Sequence, residues 1–244
     1  MSFAGKRYWL VGGSEGLGLA LAQKLRAEGA DLIISARDAD RLSSGCADLG
    51  ARALPMDVAD QASVNRAAAA VGAVDGLVIL AAVYWPMAAQ KLDPLRLAQM
   101  CDVNLTGTAR VIGAVLPGMV ARGAGHLVLT GSLAGYRGLP GAMGYAASKA
   151  GVMTMAESLY ADLRGSGIKV QIANPGFIAT RLTAQNRFTM PFLMTPERAA
   201  GHMLRLMRSN RFKSSFPAPF SWLFRFGQAL PDWLWYRLFP RTQG

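Results

Sequence analysis

Short apolar runs alternate with longer segments of helical periodicity along most of this 244-residue chain, and that alternation narrows the fold more than any other feature. Residues 8–11, 31–35, 51–54, 76–81, 126–130 and 169–173 are brief and rich in Val, Ile, Leu and Ala, as expected of strands buried on both faces. Between them, residues 17–28, 63–71, 95–120 and 145–163 carry the 3.6-residue pattern of helices. Strands of that kind separated by helices predict an α/β fold: one doubly wound domain, with a parallel sheet and right-handed crossovers. No internal repeat or low-complexity linker divides residues 1–210.

The turn after the first strand reads VGGSEGLG, with Gly12, Gly16 and Gly18 leading into the first helix. Glycines there let the backbone approach a pyrophosphate, which then sits at the positive end of the helix dipole. The spacing is G-x-x-x-G-x-G, a loose form of the dinucleotide fingerprint. The same turn satisfies G-x-S-x-G, a hydrolase elbow with Ser14 as nucleophile. Only eleven residues precede it, too few for the strands that build an oxyanion loop, and only His126 and His202 could serve as base. The hydrolase is a remote alternative.

The second strand ends in Ser35-Ala36-Arg37-Asp38. An acid near this point binds the ribose hydroxyls of NAD, whereas an arginine accommodates the additional phosphate of NADP. Ala36 stands where the acid is expected and Arg37 follows, so the sequence favours NADPH, with NAD not excluded. Asp38 reads as the N-cap of a helix beginning near Ala39, and Glu15 opposes the NADPH preference.

In residues 131–149, Ser132 is followed thirteen residues later by Tyr145 and, one helical turn on, by Lys149. A free phenol titrates near ~10, so reaching ~7 requires roughly 4 kcal/mol in favour of the phenolate. One cation ~5 Å away supplies roughly 3 kcal/mol at an effective dielectric of ~20. The sequence therefore predicts a phenol lowered toward neutrality by Lys149, with an oxidised nicotinamide ring as second cation.

Taken in order, the glycine turn, Arg37, Asp57-Val58 and the Ser-Tyr-Lys run resemble the short-chain dehydrogenase/reductase family over roughly residues 5–210. The resemblance implies a Rossmann domain and NAD(P)-dependent interconversion of an alcohol and a ketone. It places Gly12, Ser14, Gly16, Leu17 and Gly18 around the pyrophosphate, and Asp57 and Val58 at the adenine. It also places Ala81 beside the cofactor, with Pro175, Gly176, Ile178 and Thr180 flanking the nicotinamide. Ser132 would hold the substrate carbonyl and Tyr145 would donate the proton. Lys149 would bind the nicotinamide ribose, and Asn104 in DVNLTG would hold a water that links Lys149 to solvent. A homo-oligomer is also implied. The chain departs from the family in two places: Ile79, Leu80, Ala81 and Ala82 replace Asn-Asn-Ala-Gly, which predicts less rigidity between neighbouring strands, and the glycine-rich final strand with its aspartate is missing.

Residues 182–194, LTAQNRFTMPFLM, occupy the position of the family's substrate lid, and their phenylalanines and methionines suit a bulky apolar ketone or alcohol. Residues 211–244 form a separate extension carrying ten aromatics. A helix over 221–230 would set Ser221, Arg225 and Gln228 on one face and Trp222, Phe226 and Leu230 on the other, with Pro231 starting a second segment over 233–239. Basic and rich in tryptophan, it could be an interfacial anchor for an anionic membrane, a dimer interface or a wall of the substrate pocket.

The net charge of +11 is compatible with nucleic acid, an anionic membrane or acidic ligands, but the basic residues form no nucleic-acid module. Cys46 and Cys101 are far apart and no Cys/His cluster suggests a metal, which fits a reduced, cytoplasmic compartment, with peripheral attachment to a membrane as its variant. Neither a signal peptide nor an uncharged apolar stretch of spanning length is evident. The reading is an NADPH-dependent reductase of a hydrophobic ketone; a cofactor-bound scaffold without turnover is the alternative.

Overall fold

The computed structural model describes residues 2–186 and 188–239. The apolar runs become strands β1 (Arg7–Val11), β2 (Asp31–Ser35), β3 (Arg52–Ala53), β4 (Gly76–Ile79), β5 (Gly125–Thr130), β6 (Ile168–Pro175) and β7 (Lys213–Phe216). All pair in parallel, in the order β3-β2-β1-β4-β5-β6-β7. Their connections are helices α1 (Gly16–Ala27), α2 (Ala39–Ala47), α3 (Gln61–Val71), α4 (Pro94–Cys101), α5 (Gly107–Arg122), α6 (Met143–Asp162) and α7 (Pro196–Arg208). Two short helices, α8 (Ala218–Gly227) and α9 (Asp232–Leu238), follow β7.

Two apolar layers hold the sheet. Leu21 and Leu25 of α1, Leu42 of α2 and Met203 and Met207 of α7 bury one face, with Leu10 and Ile34 of the strands. Val64 of α3, Met100 of α4, Val111 and Met119 of α5 and Val152 of α6 bury the other, with Trp9, Leu77 and Leu127. The strand order reverses between β1 and β4, so the crevice at their carboxyl ends is the natural ligand site of such a sheet.

The helix expected over 95–120 exists but is interrupted. Residues 102–106 form one π-helical turn between α4 and α5, a wide turn that recurs at functional sites. Within it, the fully buried Asn104 accepts a hydrogen bond from the Val83 amide at 2.8 Å and donates to the Val83 carbonyl at 3.0 Å and to Ser148 Oγ at 3.1 Å. The whole run Pro94–Arg122 is long and apolar enough to cross a membrane by length and composition. Its buried Asn104 and its packing in the core against α3 and α6 identify it as a core helix.

Three expectations are corrected. First, a seventh strand is present: β7, with the sequence KSSF, pairs from Ile172↔Lys213 to Pro175↔Phe216. It carries no glycine, which is why composition did not mark it, and the sheet extends beyond residue 210. Second, the strands are tied together after β4 without the two asparagines that are replaced there. The Leu80 and Ala81 amides both donate to the Val11 carbonyl, at 2.7 and 2.9 Å, and Asn104 fixes Val83 beyond them. Third, α8 begins earlier than residue 221 and buries Phe220, Ser221, Phe224 and Gly227. Ser221 is inside because its hydroxyl is satisfied by the Ala218 carbonyl at 2.9 Å.

Candidate active site

The glycine turn is shaped by close approach. Gly12 has φ +93°, and a Cβ on it would lie 2.4 Å from the Ala81 nitrogen; a Cβ on Gly18 would lie 2.2 Å from the Gly12 carbonyl oxygen. Any side chain at either position would push β1, β4 and α1 apart. The first amides of α1 therefore face a cleft at the sheet's carboxyl edge, where a phosphate can be held by backbone N–H groups and the helix dipole.

That cleft is lined by Gly12, Ser14, Gly16, Leu17 and Gly18 from the turn, Arg37 after β2, Val58, Ala81, Tyr145 and Lys149, and Pro175, Gly176, Ile178 and Thr180 after β6. Of the expected cofactor residues, Asp57 alone is not on its wall. Its carboxylate accepts from the Ala59 amide at 2.9 Å, closing the turn that presents Val58 instead. Arg37 faces the cleft and forms no ion pair among the described residues. Glu15, which on sequence opposed an anionic ligand, is neutralised by Arg181 at 2.7 Å and Arg41 at 3.5 Å. Asp38 caps α2 by accepting from the Arg41 amide at 3.0 Å. The residues fit a dinucleotide: a bare-backbone cradle, a helix N-terminus, an uncommitted guanidinium, and a buried Thr130 hydroxyl in the cleft wall without a protein partner.

Ser132 follows β5 and caps a short turn by accepting from the Ala134 amide at 3.1 Å, which orients its hydroxyl toward Tyr145. Tyr145 and Lys149 lie a turn apart on α6, with Lys149 Nζ 5.8 Å from the phenol ring centroid. Lys149 is buried and donates to the Thr130 carbonyl at 2.9 Å. Burial lowers its pKa to about 8. The Tyr145 phenol is raised above its ordinary value by burial, partly offset by the Ser132 hydroxyl. The sequence predicted a lowered phenol; here desolvation outweighs the cation, because Lys149 points past the ring to the β5 carbonyl. A neutral phenol is nonetheless the form that can donate a proton.

Asn104 does not line the cleft, and its amide is committed to Val83 and Ser148. It acts on the site by holding two chain segments: the strand-end loop that carries Ala81, and α6 through Ser148, the residue before Lys149. Its backbone carbonyl accepts from Thr108 Oγ1 at 2.7 Å.

A second pocket adjoins the first. Leu133, Leu139, Ala142, Phe177, Leu182, Phe188, Phe220 and Phe224 make it apolar, and Ser132, Tyr145 and Tyr84 supply hydroxyl groups at one end. Tyr84 packs edge-on against Tyr145, with ring centroids 5.0 Å apart, and its phenol is pushed up to about 12 by burial and by Tyr145. Sequence reasoning missed Tyr84, although its place three residues beyond Ala81, at the carboxyl end of β4, was a usable signal. The segment after β6 covers this pocket as a lid, tied down by Gln185 Nε2 donating to the Tyr84 carbonyl at 2.9 Å and by Arg181 on Glu15. Phe220 and Phe224 of its wall come from α8, so the aromatic extension contributes to this pocket.

Neither histidine approaches Ser14. His126 pairs with Lys169 at the amino end of the sheet, opposite the glycine turn, and its ring is held between Tyr8 and Gln171. His202 stacks on Phe216. The geometry of a hydrolase is absent among the described residues.

Comparison with known proteins agrees with this geometry. The family model described as short chain dehydrogenase matches residues 6–190. An uncharacterised oxidoreductase of Myxococcus xanthus is 36% identical over 232 residues, 91% of this chain and 92% of that one. The 3-oxoacyl-[acyl-carrier-protein] reductase FabG of Salmonella typhimurium is 32% identical over 189 residues, 75% and 78% of the two chains. The crystal structure of a short-chain dehydrogenase from Streptomyces avermitilis superimposes with a TM-score of 0.83 at 26% identity, over 96% of this chain and 95% of that one.

Proposed function

The chain belongs to the short-chain dehydrogenase/reductase family and is an NAD(P)-dependent oxidoreductase acting on a CH–OH or C=O group; we propose that it reduces the ketone of a hydrophobic, lipid-like compound and prefers NADPH. One observation carries this reading: Tyr145 stands in the wall shared by the polar cleft and the apolar pocket, so a carbonyl at the pocket's hydroxyl end lies beside whatever the cleft holds.

When bound, the nicotinamide supplies a hydride to the carbonyl carbon. The residues of the chain do the rest. Ser132 and Tyr145 give hydrogen bonds to the carbonyl oxygen, and the Tyr145 phenol delivers its proton there as negative charge develops. The phenol, held above its ordinary value by burial, is in its protonated form at neutral pH, the form from which it can donate. Lys149, still mostly charged below about pH 8, stabilises the phenolate left behind and reaches toward the cleft, where a ribose hydroxyl would be held. Asn104 positions α6 and the Ala81 loop against each other, so that both pockets keep register.

Arg37 supports the choice of NADPH, since a guanidinium in the cleft wall can fork onto a phosphate and Glu15 no longer opposes it. The phenylalanines of lid and α8 support an apolar substrate. A scaffold without turnover would not need Ser132, Tyr145 and Lys149 held together, whereas a reductase does. The name of the Salmonella relative makes a 3-oxoacyl compound a natural member of the test set.

The test is a panel of ketones of graded chain length with NADPH and NADH, on the parent enzyme and on Tyr145→Phe. Turnover should favour NADPH and the longer, apolar ketones, and should vanish in Tyr145→Phe while NADPH binding persists. Faster reduction with NADH, or of short polar ketones, would overturn the cofactor or the substrate assignment respectively.

A further inference from the structure

Helices α8 and α9 are amphipathic in an unusual sense, because both of their faces are aromatic. The inward faces pack Phe220, Phe224 and Trp235 into one cluster with Leu133. Outward, Trp222 is 54% exposed, Phe226 72% and Trp233 69%, with Tyr236 and Leu238 also largely uncovered. The lid adds an exposed ring beside the inward cluster: Phe192 is 56% exposed and its ring lies 5.6 Å from that of Phe220. Phe220 in turn lines the apolar pocket. The rim of the proposed substrate pocket thus merges with an exposed apolar surface.

Charge separates the occupants of such a surface. Residues 211–244 contain five basic residues and one acid, Asp232; Lys213 is paired with Glu157, and Arg181 of the lid with Glu15, so the positive charge this surface offers rests chiefly on Arg225 and Arg237. Asp232 is engaged by Arg137, and Arg225 and Arg237 are exposed on α8 and α9. A second copy docked isologously would bring two surfaces of the same positive sign together, which costs association energy. Anionic headgroups would neutralise them, and tryptophan suits the headgroup level of a bilayer.

The surface is also fixed to the catalytic loop. Arg137, between Ser132 and Tyr145, donates to the Leu230 and Gly227 carbonyls, pairs with Asp232, and lies over the Trp235 ring at 5.2 Å and the Tyr236 ring at 6.0 Å. Trp235 Nε1 donates to the Gly138 carbonyl at 3.1 Å, and Gln228 Nε2 to the Tyr136 carbonyl at 3.0 Å.

We propose that the outward aromatic face of α8, α9 and the lid seats on an anionic lipid bilayer, so that the substrate pocket takes its ketone from the membrane surface. The proposal rests on the apolar pocket being the substrate site.

Flotation of the full chain with vesicles tests it, using phosphatidylcholine alone or mixed with phosphatidylglycerol. The parent enzyme should float with the anionic vesicles and much less with the zwitterionic ones. The double variants Trp222→Ser/Phe226→Ser and Arg225→Glu/Arg237→Glu should each float about tenfold less or worse, with unchanged reduction of a short, water-soluble ketone. Unchanged turnover also shows that the variants are folded, and the charge-reversal pair leaves every aromatic in place. Equal flotation of parent and variants, or a parent that stays with the soluble fraction, would overturn the membrane assignment. So would a parent dimer that becomes monomeric in Trp222→Ser/Phe226→Ser without any flotation, since the occupant is then a second copy. Loss of ketone reduction by the parent enzyme across the whole panel would instead sink the reading of the pocket, and flotation would still be interpretable.

Discussion

Lys149 Nζ lies 5.8 Å from the centroid of the Tyr145 ring, yet it gives its hydrogen bond to the Thr130 carbonyl of β5, at 2.9 Å. The ammonium is thereby anchored to the sheet and reaches the phenol only through space. Lys149 is buried and Tyr145 partly buried, and desolvation moves each toward its neutral form: the phenol upward, the ammonium down to about 8. An acid-base pair is therefore poised to give a proton, with the lysine as the member that titrates nearest neutrality.

The pH dependence of reduction follows. The competent state needs a neutral Tyr145 and a charged Lys149. Because the lysine's pKa lies near 8, kcat/KM should be level below that pH and fall as pH rises through it. A profile measured between about pH 6 and pH 10 checks this, and a flat profile to pH 10 would show that the Lys149 charge is not required. Lys149→Met should lower kcat by about a thousandfold or more, without loss of thermal stability, because it removes a buried charge.

Arg37 should decide the cofactor. Its charge-assisted bonds to a phosphate are worth roughly 1.5–3 kcal/mol, so Arg37→Ala should raise the KM for NADPH about ten- to a hundredfold. KM for NADH should move by less than about twofold, since that cofactor offers no phosphate to lose. Parallel changes for both cofactors would indicate that Arg37 only shapes the cleft.

Arg137 should hold the extension to the catalytic loop. Arg137→Met abandons the Gly227 and Leu230 carbonyls and the Asp232 carboxylate and should cost about 2–3 kcal/mol, a fall of several degrees in Tm for a chain this size. Arg137→Lys should not recover it, because an ammonium cannot fork to three partners as a guanidinium does. Calorimetry of the three proteins checks this, together with a rise in KM that is larger for long than for short ketones. A Tm equal to that of the parent would mean that the aromatic cluster alone docks the tail.

His126 makes the fold acid-sensitive. Its Nε2 faces the Gln171 carbonyl oxygen at 2.9 Å, so Nδ1 accepts from the Tyr8 hydroxyl at 2.8 Å and has no room for a second proton. Burial lowers its pKa from 6.5 to about 4. The unfolded chain therefore binds this proton first as pH falls. The stabilisation, complete above about 6.5, should drain away between 6.5 and 4 and amount to about 3 kcal/mol by the lower limit. Denaturant melts across this interval should show the slope in the parent and a much shallower one in His126→Gln.

The apolar runs determined the parallel sheet, because strands buried on both faces can be covered only by helices on both sides. Gly12, Gly16 and Gly18, and Tyr145 and Lys149 at helical spacing, likewise marked residues of the candidate site, because spacing within one turn or one helix is local. Where a group's energy depends on what surrounds it, the sequence was insufficient. Whether Tyr145 is raised or lowered hangs on burial, which raises it, against the Ser132 hydroxyl, which lowers it, and Glu15 is harmless only because Arg181 arrives from the other half of the sheet. The seventh strand was invisible because KSSF owes its conformation to the β6 edge it pairs with, not to its own composition. On sequence the tail helix divides into a polar face with Ser221, Arg225 and Gln228 and an apolar face with Trp222, Phe226 and Leu230, and packing sorted it differently. Phe220, Phe224 and Trp235 went inward, where Leu133 and the catalytic loop offered a surface, and Trp222, Phe226 and Trp233 were left outside because one side of a short helix can face only one way.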